Sequence, residues 1–204
     1  MNNIVRSDEE KRWWSNGHLH RDEDAPAIED ANGSKMWYVN GKLHRKGGLP
    51  AVEWNNGSNE WYINGKRHRD GDLPAIEGCD GRKEWWFNGK LHRDGGYPAV
   101  EYGDGTTIEW WVNGELHREG GLPAIEDGYA GNEWYIYDRE LSEEQGLAYF
   151  AFCQKIQEKK RIRAQKKIYF WWIQICYDQE HPSDCGKRMA DHNLAKYKAM
   201  INDK

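Results

Sequence analysis

Glu84-Trp85-Trp86-Phe87-Asn88-Gly89-Lys90-Leu91-His92-Arg93-Asp94-Gly95-Gly96-Tyr97-Pro98-Ala99-Val100-Glu101 is the stretch on which the fold turns. Two aromatics lead into Asn-Gly, and a second strand-like run follows. Asn-Gly between two such runs is a strong hairpin signal, because both residues of a type I′ turn need positive φ. The unit recurs. Its first aromatic stands at Trp13, Trp37, Trp61, Trp85, Trp110 and Trp134, in steps of 24, 24, 24, 25 and 24 residues. Asn-Gly follows at Asn16, Asn40, Asn64, Asn88 and Asn113. His-Arg follows at His20, His44, His68, His92 and His117, and Pro-Ala at Pro26, Pro50, Pro74, Pro98 and Pro123. A glutamate closes each unit at Glu29, Glu53, Glu77, Glu101 and Glu126. The single longer step inserts its residue between Gly105 and Trp110, in a turn, where insertions are tolerated best. A fixed period over five copies means a repeat array.

Within one copy, the two-residue turn Asn40-Gly41 pairs Val39 with Lys42, Tyr38 with Leu43 and Trp37 with His44. Alternation then puts Trp37, Val39, Lys42 and His44 on one face and Tyr38, Leu43 and Arg45 on the other. The Gly47-Gly48-Leu49-Pro50 stretch reads either as a kink in one long strand or as a turn that makes a third strand. The sixth copy is truncated: Tyr137-Asp138 replaces Asn-Gly, and Leu141-Ser142 replaces His-Arg.

The pattern Gly-x3-Trp-[Trp/Tyr]-x-Asn-Gly-x-x-His resembles the MORN family of β-hairpin repeats, and its shorter variant most closely, over about residues 10 to 138. Arg after the His and the Pro-Ala-[Ile/Val]-Glu segment depart from that pattern. Arrays with this signature also resemble repeat proteins encoded by large DNA viruses of amoebae. The resemblance implies a mainly β chain, a single elongated twisted antiparallel sheet with two long elements per repeat. At roughly 4.8 Å per strand, equivalent residues would stand about 10 to 14 Å apart. It also implies a non-enzymatic interaction or scaffold protein, or a structural component of a virus particle, in host cytoplasm or virion. Its partners would be other scaffold or virion proteins.

Residues 1 to 10 read as a polar lead-in, without a signal peptide. After the array, Ser142-Glu143-Glu144-Gln145 is a capping box that opens a helix from about Glu143 to Tyr177. Leu147, Tyr149, Phe150, Phe152 and Ile156 are expected to cover the last edge strand, an aggregation template if left open. A linker and a second helix, about residues 184 to 201, complete a helical C-terminal cap over residues 139–204. The net charge of −5 is unevenly spread: residues 1–138 carry −9 and residues 139–204 carry +4. The array should repel nucleic acid, while the tail could attract it. Ile168 to Tyr177 is about half a membrane span. Four cysteines without a CxxC pair fit a reducing, cytoplasmic compartment.

The helix carries Lys155, Lys159, Lys160, Arg161, Arg163, Lys166 and Lys167 against one Glu158, and then Trp171 and Trp172. This basic run is either a solvated face or a contact for an acidic protein, nucleic acid or anionic lipid. Trp171 and Trp172 either pack on the second helix or anchor a partner. Ile156-Gln157-x3-Arg161-x4-Lys166 partly resembles the IQ motif that binds calmodulin-like proteins, with Ile162 where that motif has Gly. No cofactor, metal or catalytic residue is expected. Zinc ligands lie about 2 Å from one ion, so histidines a repeat apart cannot share it. Each repeated His is expected to pack on the Trp opposite it, and each Arg to pair with its repeat's Glu. Cys176, His181, Cys185 and His192 are spaced like no zinc module and read as thiols and surface imidazoles. The array's aromatics either hold repeats together or form a recognition surface, where Trp, Tyr and Arg dominate binding.

Overall fold

The structure, a computed structural model, describes residues 2–6 and 10–178. The second helix expected over residues 184 to 201, with His181, Cys185 and His192, lies outside them. The chain divides into two units, Met1–Ala151 and Phe152–Lys204. The first is an antiparallel sheet of 14 strands, not closed into a barrel, with small two-stranded hairpins branching from it.

One repeat explains the whole. Lys35–Met36 pairs with Val52–Glu53 in the register Met36↔Val52, and with the preceding repeat's Ile28–Asp30 in the register Met36↔Ile28. Trp37 then changes partner. Its N–H donates to Ala51 O at 2.8 Å, while its carbonyl accepts from His44 N at 3.1 Å. The chain beyond it leaves the sheet as the hairpin Tyr38–Val39/Lys42–Leu43, paired Tyr38↔Leu43 and Val39↔Lys42 as the turn length requires. Asn40 and Gly41 stand at φ 50° and 76°, the left-handed values of a type I′ turn. The expected pairing is therefore present, but the two long elements are not. Gly47 and Gly48 both lie at positive φ, so this stretch reverses the chain and makes a third strand segment, Val52–Glu53.

The polar lead-in is also a strand. Asn2–Arg6 pairs with Glu10–Ser15, placing Ile4 opposite Trp13 and covering the edge of the first repeat. The core is a repeating column. Ala27, Ala51, Ala75, Ala99 and Ala124 are fully buried, and Trp37, Trp61, Trp85 and Trp110 are nearly so.

At the other end the helix Glu143–Asp178 begins with the expected capping box: Gln145 N donates to Ser142 Oγ, and Ser142 N donates to Gln145 Oε1. Its start is seated differently from the sequence expectation. Leu147 and Phe152 are more than half exposed. The close contacts are Gly146 against the Trp134 ring and Gly121 against the backbone of Tyr149 and Phe150. Backbone approaching backbone needs glycine rather than a large apolar side chain. No helix of the described residues is long and apolar enough to cross a membrane.

Candidate recognition surface

The repeated polar residues are engaged first in holding the array. Each Arg lies over its own repeat's Trp: the guanidinium carbons of Arg21, Arg45, Arg69, Arg93 and Arg118 stand 3.5–3.8 Å from the ring centroids. The same arginines bond the Pro carbonyl and the Glu of their repeat. Arg45, for example, donates to Pro50 O at 3.3 Å and to Glu53 Oε1 at 2.7 Å. The Arg–Glu pairing is as expected. The face is not, because alternation placed Arg45 opposite to Trp37. Pairing ends at His44, the chain turns away toward Gly47, and period-two alternation no longer governs where Arg45 points. Stacking on an indole then adds to two hydrogen bonds.

The histidines bridge repeats instead of packing on their own Trp. His20, His44, His68 and His92 accept at Nδ1 from the backbone N–H of Asn40, Asn64, Asn88 and Asn113, at 3.1–3.3 Å. The Nε2 of His20, His68 and His92 faces Asp22, Asp70 and Asp94. With Nδ1 accepting, Nε2 carries the proton and donates to the carboxylate. A second bridge runs from the Trp indoles. Trp37, Trp61, Trp85 and Trp110 donate to the carbonyls of Asp24, Gly48, Asp72 and Gly96 in the preceding repeat, at 2.8–3.1 Å. A third links the turns: Gly41, Gly65, Gly89 and Gly114 N–H donate to Leu19, Leu43, Arg67 and Leu91 O. Two arginines reach back as well, Arg45 to Asp24 and Arg93 to Asp72. Among the described residues no three His, Cys, Asp or Glu side chains are grouped to hold a metal ion.

The last bridge is altered. Tyr137 and Asp138 keep the left-handed turn, at φ 48° and 63°, and Asp138 Oδ1 accepts from Leu116 N. His117 stacks on Tyr137 with centroids 4.1 Å apart, and its buried Nδ1 has no hydrogen-bond partner among the described residues. Burial pushes its pKa down, against the pull of nearby Glu119. On the opposite face, Tyr62 donates to Glu60 and accepts from Arg67. Burial, reinforced by Glu60, pushes its hydroxyl up to about 12.

What these bonds leave open is a row of four grooves, one between each successive pair of repeats from the first to the fifth. Each is lined by the His-Arg corner and loop of one repeat and by the Trp and pre-turn residue of the next. Their volumes run from about 190 to 390 Å³. Apolar residues that precede Pro rim the last three of them. Leu49, Leu73, Tyr97 and Leu122 are 38–59% exposed, and Phe87 is 51% exposed. The question of whether the aromatics hold repeats or face outward thus has a positional answer: Trp37, Trp61, Trp85 and Trp110 do the former, while Phe87 and Tyr97 do the latter. The signal was available in the sequence as an apolar residue recurring before Pro in four copies, at Leu49, Leu73, Tyr97 and Leu122.

In the helix, Lys155, Lys159, Lys160, Arg163 and Lys167 are exposed and Lys166 is half-buried. Among the described residues only Arg161 of this group is ion-paired, through both nitrogens to Glu158 at 2.8 Å. Trp171 and Trp172 lie in the last turns of the same helix. No family model matches the chain, and neither a curated protein nor a solved structure gives a significant match.

Proposed function

We propose that the protein is a non-enzymatic interaction scaffold, a MORN-like hairpin array whose row of inter-repeat grooves recognises a protein partner. The row of four grooves, the last three rimmed by half-exposed apolar side chains, carries this reading. The catalytic-looking residues support it by their engagement: the His of each of the first four copies binds the next copy, and the Arg and Glu of each copy pair with one another. Aromatic anchors beside arginine are the groups that dominate protein interfaces. A regular rigid surface also suits an assembly built from repeating parts, including the virus particle that the sequence resemblance suggests.

The test is a variant with alanine at Leu49, Leu73 and Tyr97. None of these side chains contributes a hydrogen bond between repeats, so the array should stay folded. Salt-resistant capture of a partner from cell lysate should fall roughly tenfold or more, the effect of losing about 1.4 kcal/mol of contact. Unchanged capture refutes the groove reading.

The exposed and largely unpaired basic run favours a second reading, contact with nucleic acid or anionic lipid through Lys155, Lys159, Lys160, Arg161, Arg163, Lys166 and Lys167. Counterion release makes such binding weaken steeply with salt. Binding that survives high salt, or charge-neutral substitution of those residues, would exclude it.

A further inference from the structure

The basic residues of the helix share one face. At about 3.6 residues per turn, Lys155, Lys159, Lys160, Arg163, Lys166 and Lys167 fall within an arc of about 140°. Phe152 and Ile156 lie inside the same arc, and Phe152 is 58% exposed. Glu158 and Arg161, bonded to each other, stand on the opposite side. Among the described residues none of the six bases has an ion pair.

The array presents the complementary pattern. The residue after each His-Arg stands on the groove rim: Asp22, Lys46, Asp70, Asp94 and Glu119. Lysine interrupts the row in the second copy, so copies three to five carry three acids in succession. The side chains of Asp70 and Asp94 are 87% and 93% exposed, and Glu119 is exposed. Each Asp accepts from one His, which leaves lone pairs for a further donor. Leu73, Tyr97 and Phe87 are half-exposed beside them. Each copy adds two strands to the sheet, so the three acids span four strand spacings, about 19 Å. Lys155 to Lys167 spans about 18 Å of helix.

We propose that the groove rim of copies three to five receives the basic helix face of a second copy of this chain. This rests on the groove reading above and names its occupant. The bases face Asp70, Asp94 and Glu119, while Phe152 and Ile156 enter the grooves beside Leu73 and Tyr97, a helix laid in a groove. The charge distribution favours a second copy over nucleic acid. Residues 1–138 carry −9 and residues 139–204 carry +4, so the array repels the polyanion that the tail attracts, but attracts another tail. Each chain holds both halves, and two copies satisfy one another reciprocally.

The test is sedimentation equilibrium of the full chain at low and high salt. Self-association should appear at low salt and weaken steeply as salt rises. One variant reverses the helix face (Lys159→Glu, Arg163→Glu, Lys167→Glu) and another the rim (Asp70→Lys, Asp94→Lys, Glu119→Lys). The native Lys46 shows that the rim position accepts lysine. Each variant alone should associate roughly tenfold more weakly or worse. Mixed, the two should form a one-to-one complex, because the intact helix of one meets the intact rim of the other. A wild-type chain that stays monomeric at low salt overturns the proposal without recourse to either variant, and so does a monomeric chain that binds duplex DNA or anionic vesicles. Association that survives either reversal also overturns it. The groove reading is scored separately: if the wild type is monomeric but lysate capture still falls on alanine substitution at Leu49, Leu73 and Tyr97, only the second-copy assignment fails.

Discussion

Replacing Gly121 by alanine should destabilise the protein more than the same change one residue earlier, and the difference measures how firmly the helix start is seated. Both Gly120 and Gly121 lie in the left-handed region, at φ 83° and 75°. Alanine there costs about 1–2 kcal/mol in either position. A Cβ on Gly120 meets nothing within 4 Å, so that cost is all the variant should show. A Cβ on Gly121 would stand 2.6 Å from Phe150 Cα and 2.8 Å from Phe150 N. Both are backbone atoms, so no side chain can swing aside, and the helix must move. Overpacking of this kind costs a further 1–3 kcal/mol or so. Gly121→Ala should therefore lose about 2–5 kcal/mol against about 1–2 for Gly120→Ala. Urea unfolding followed by tryptophan fluorescence reads the difference as a shift in midpoint at constant slope. If the two variants unfold together, the helix does not rest on that glycine and its role as a cap is refuted.

Gly146→Ala poses the same question from the helix side. Propensity alone would raise stability by about 1 kcal/mol, but the new methyl group would press into the Trp134 ring; a fall in Tm is expected, and a rise would sink the contact. Trp61→Phe removes the indole bond to Gly48 O and part of a buried ring on which Arg69 stacks, so a loss of at least about 1 kcal/mol is expected in denaturant titration; no loss means the indole does not tie repeats together. The pKa of His117 is lowered by folding, so the unfolded chain binds its proton more readily. Stability should be full above the ordinary value of 6.5 and decline as pH falls from there through the lower folded value; His117→Gln should flatten that decline, and an unchanged slope would count against it. Tyr62 is the opposite case, raised from 10.0 to about 12. Its contribution is present below the ordinary value and is lost as pH climbs toward about 12, a loss that Tyr62→Phe should remove from alkaline melting curves.

The hairpins, their register and the capping box were legible because each depends on residues close in sequence. Asn40 and Gly41 need only their own φ angles to set the pairing of Tyr38 with Leu43. The bridges between copies were harder to read. His44 meets Asn64 and Trp61 meets Gly48 across a repeat boundary, and nothing within one copy says which neighbour a ring nitrogen will reach. The spacing was visible, since each of these His stands 20 or 21 residues before the next Asn-Gly, but the offset alone does not distinguish a bridge from a coincidence of period. Arg45 was placed on the wrong face because alternation was carried one residue past the end of pairing. Asn2–Arg6 was missed because its only two apolar residues, Ile4 and Val5, are adjacent and show no strand-like alternation among polar neighbours. Nothing in the sequence explains a glycine at position 146 of the helix, and only the Trp134 ring beside it gives the reason for its lack of a side chain.

Asp24 and Asp72 alternate with Gly48 and Gly96 at the loop position that the next copy's arginine reaches, and this gives the gene a preferred unit of length change. The backbone bridges are the same at the four junctions between the five full copies, so recombination between these copies would join compatible strands wherever it fell. The ion pairs are not. Excision of residues 37–84 would bring Trp85 behind Met36 and set Arg93 against Asp24, as Arg45 is now, leaving every remaining junction as it was. Excision of residues 61–84 alone would set Arg93 against Gly48 and lose its reach-back partner. Arrays of this lineage are thus expected to lengthen and shorten in pairs of copies, since a pair carries one matched and one unmatched arginine and preserves their alternation.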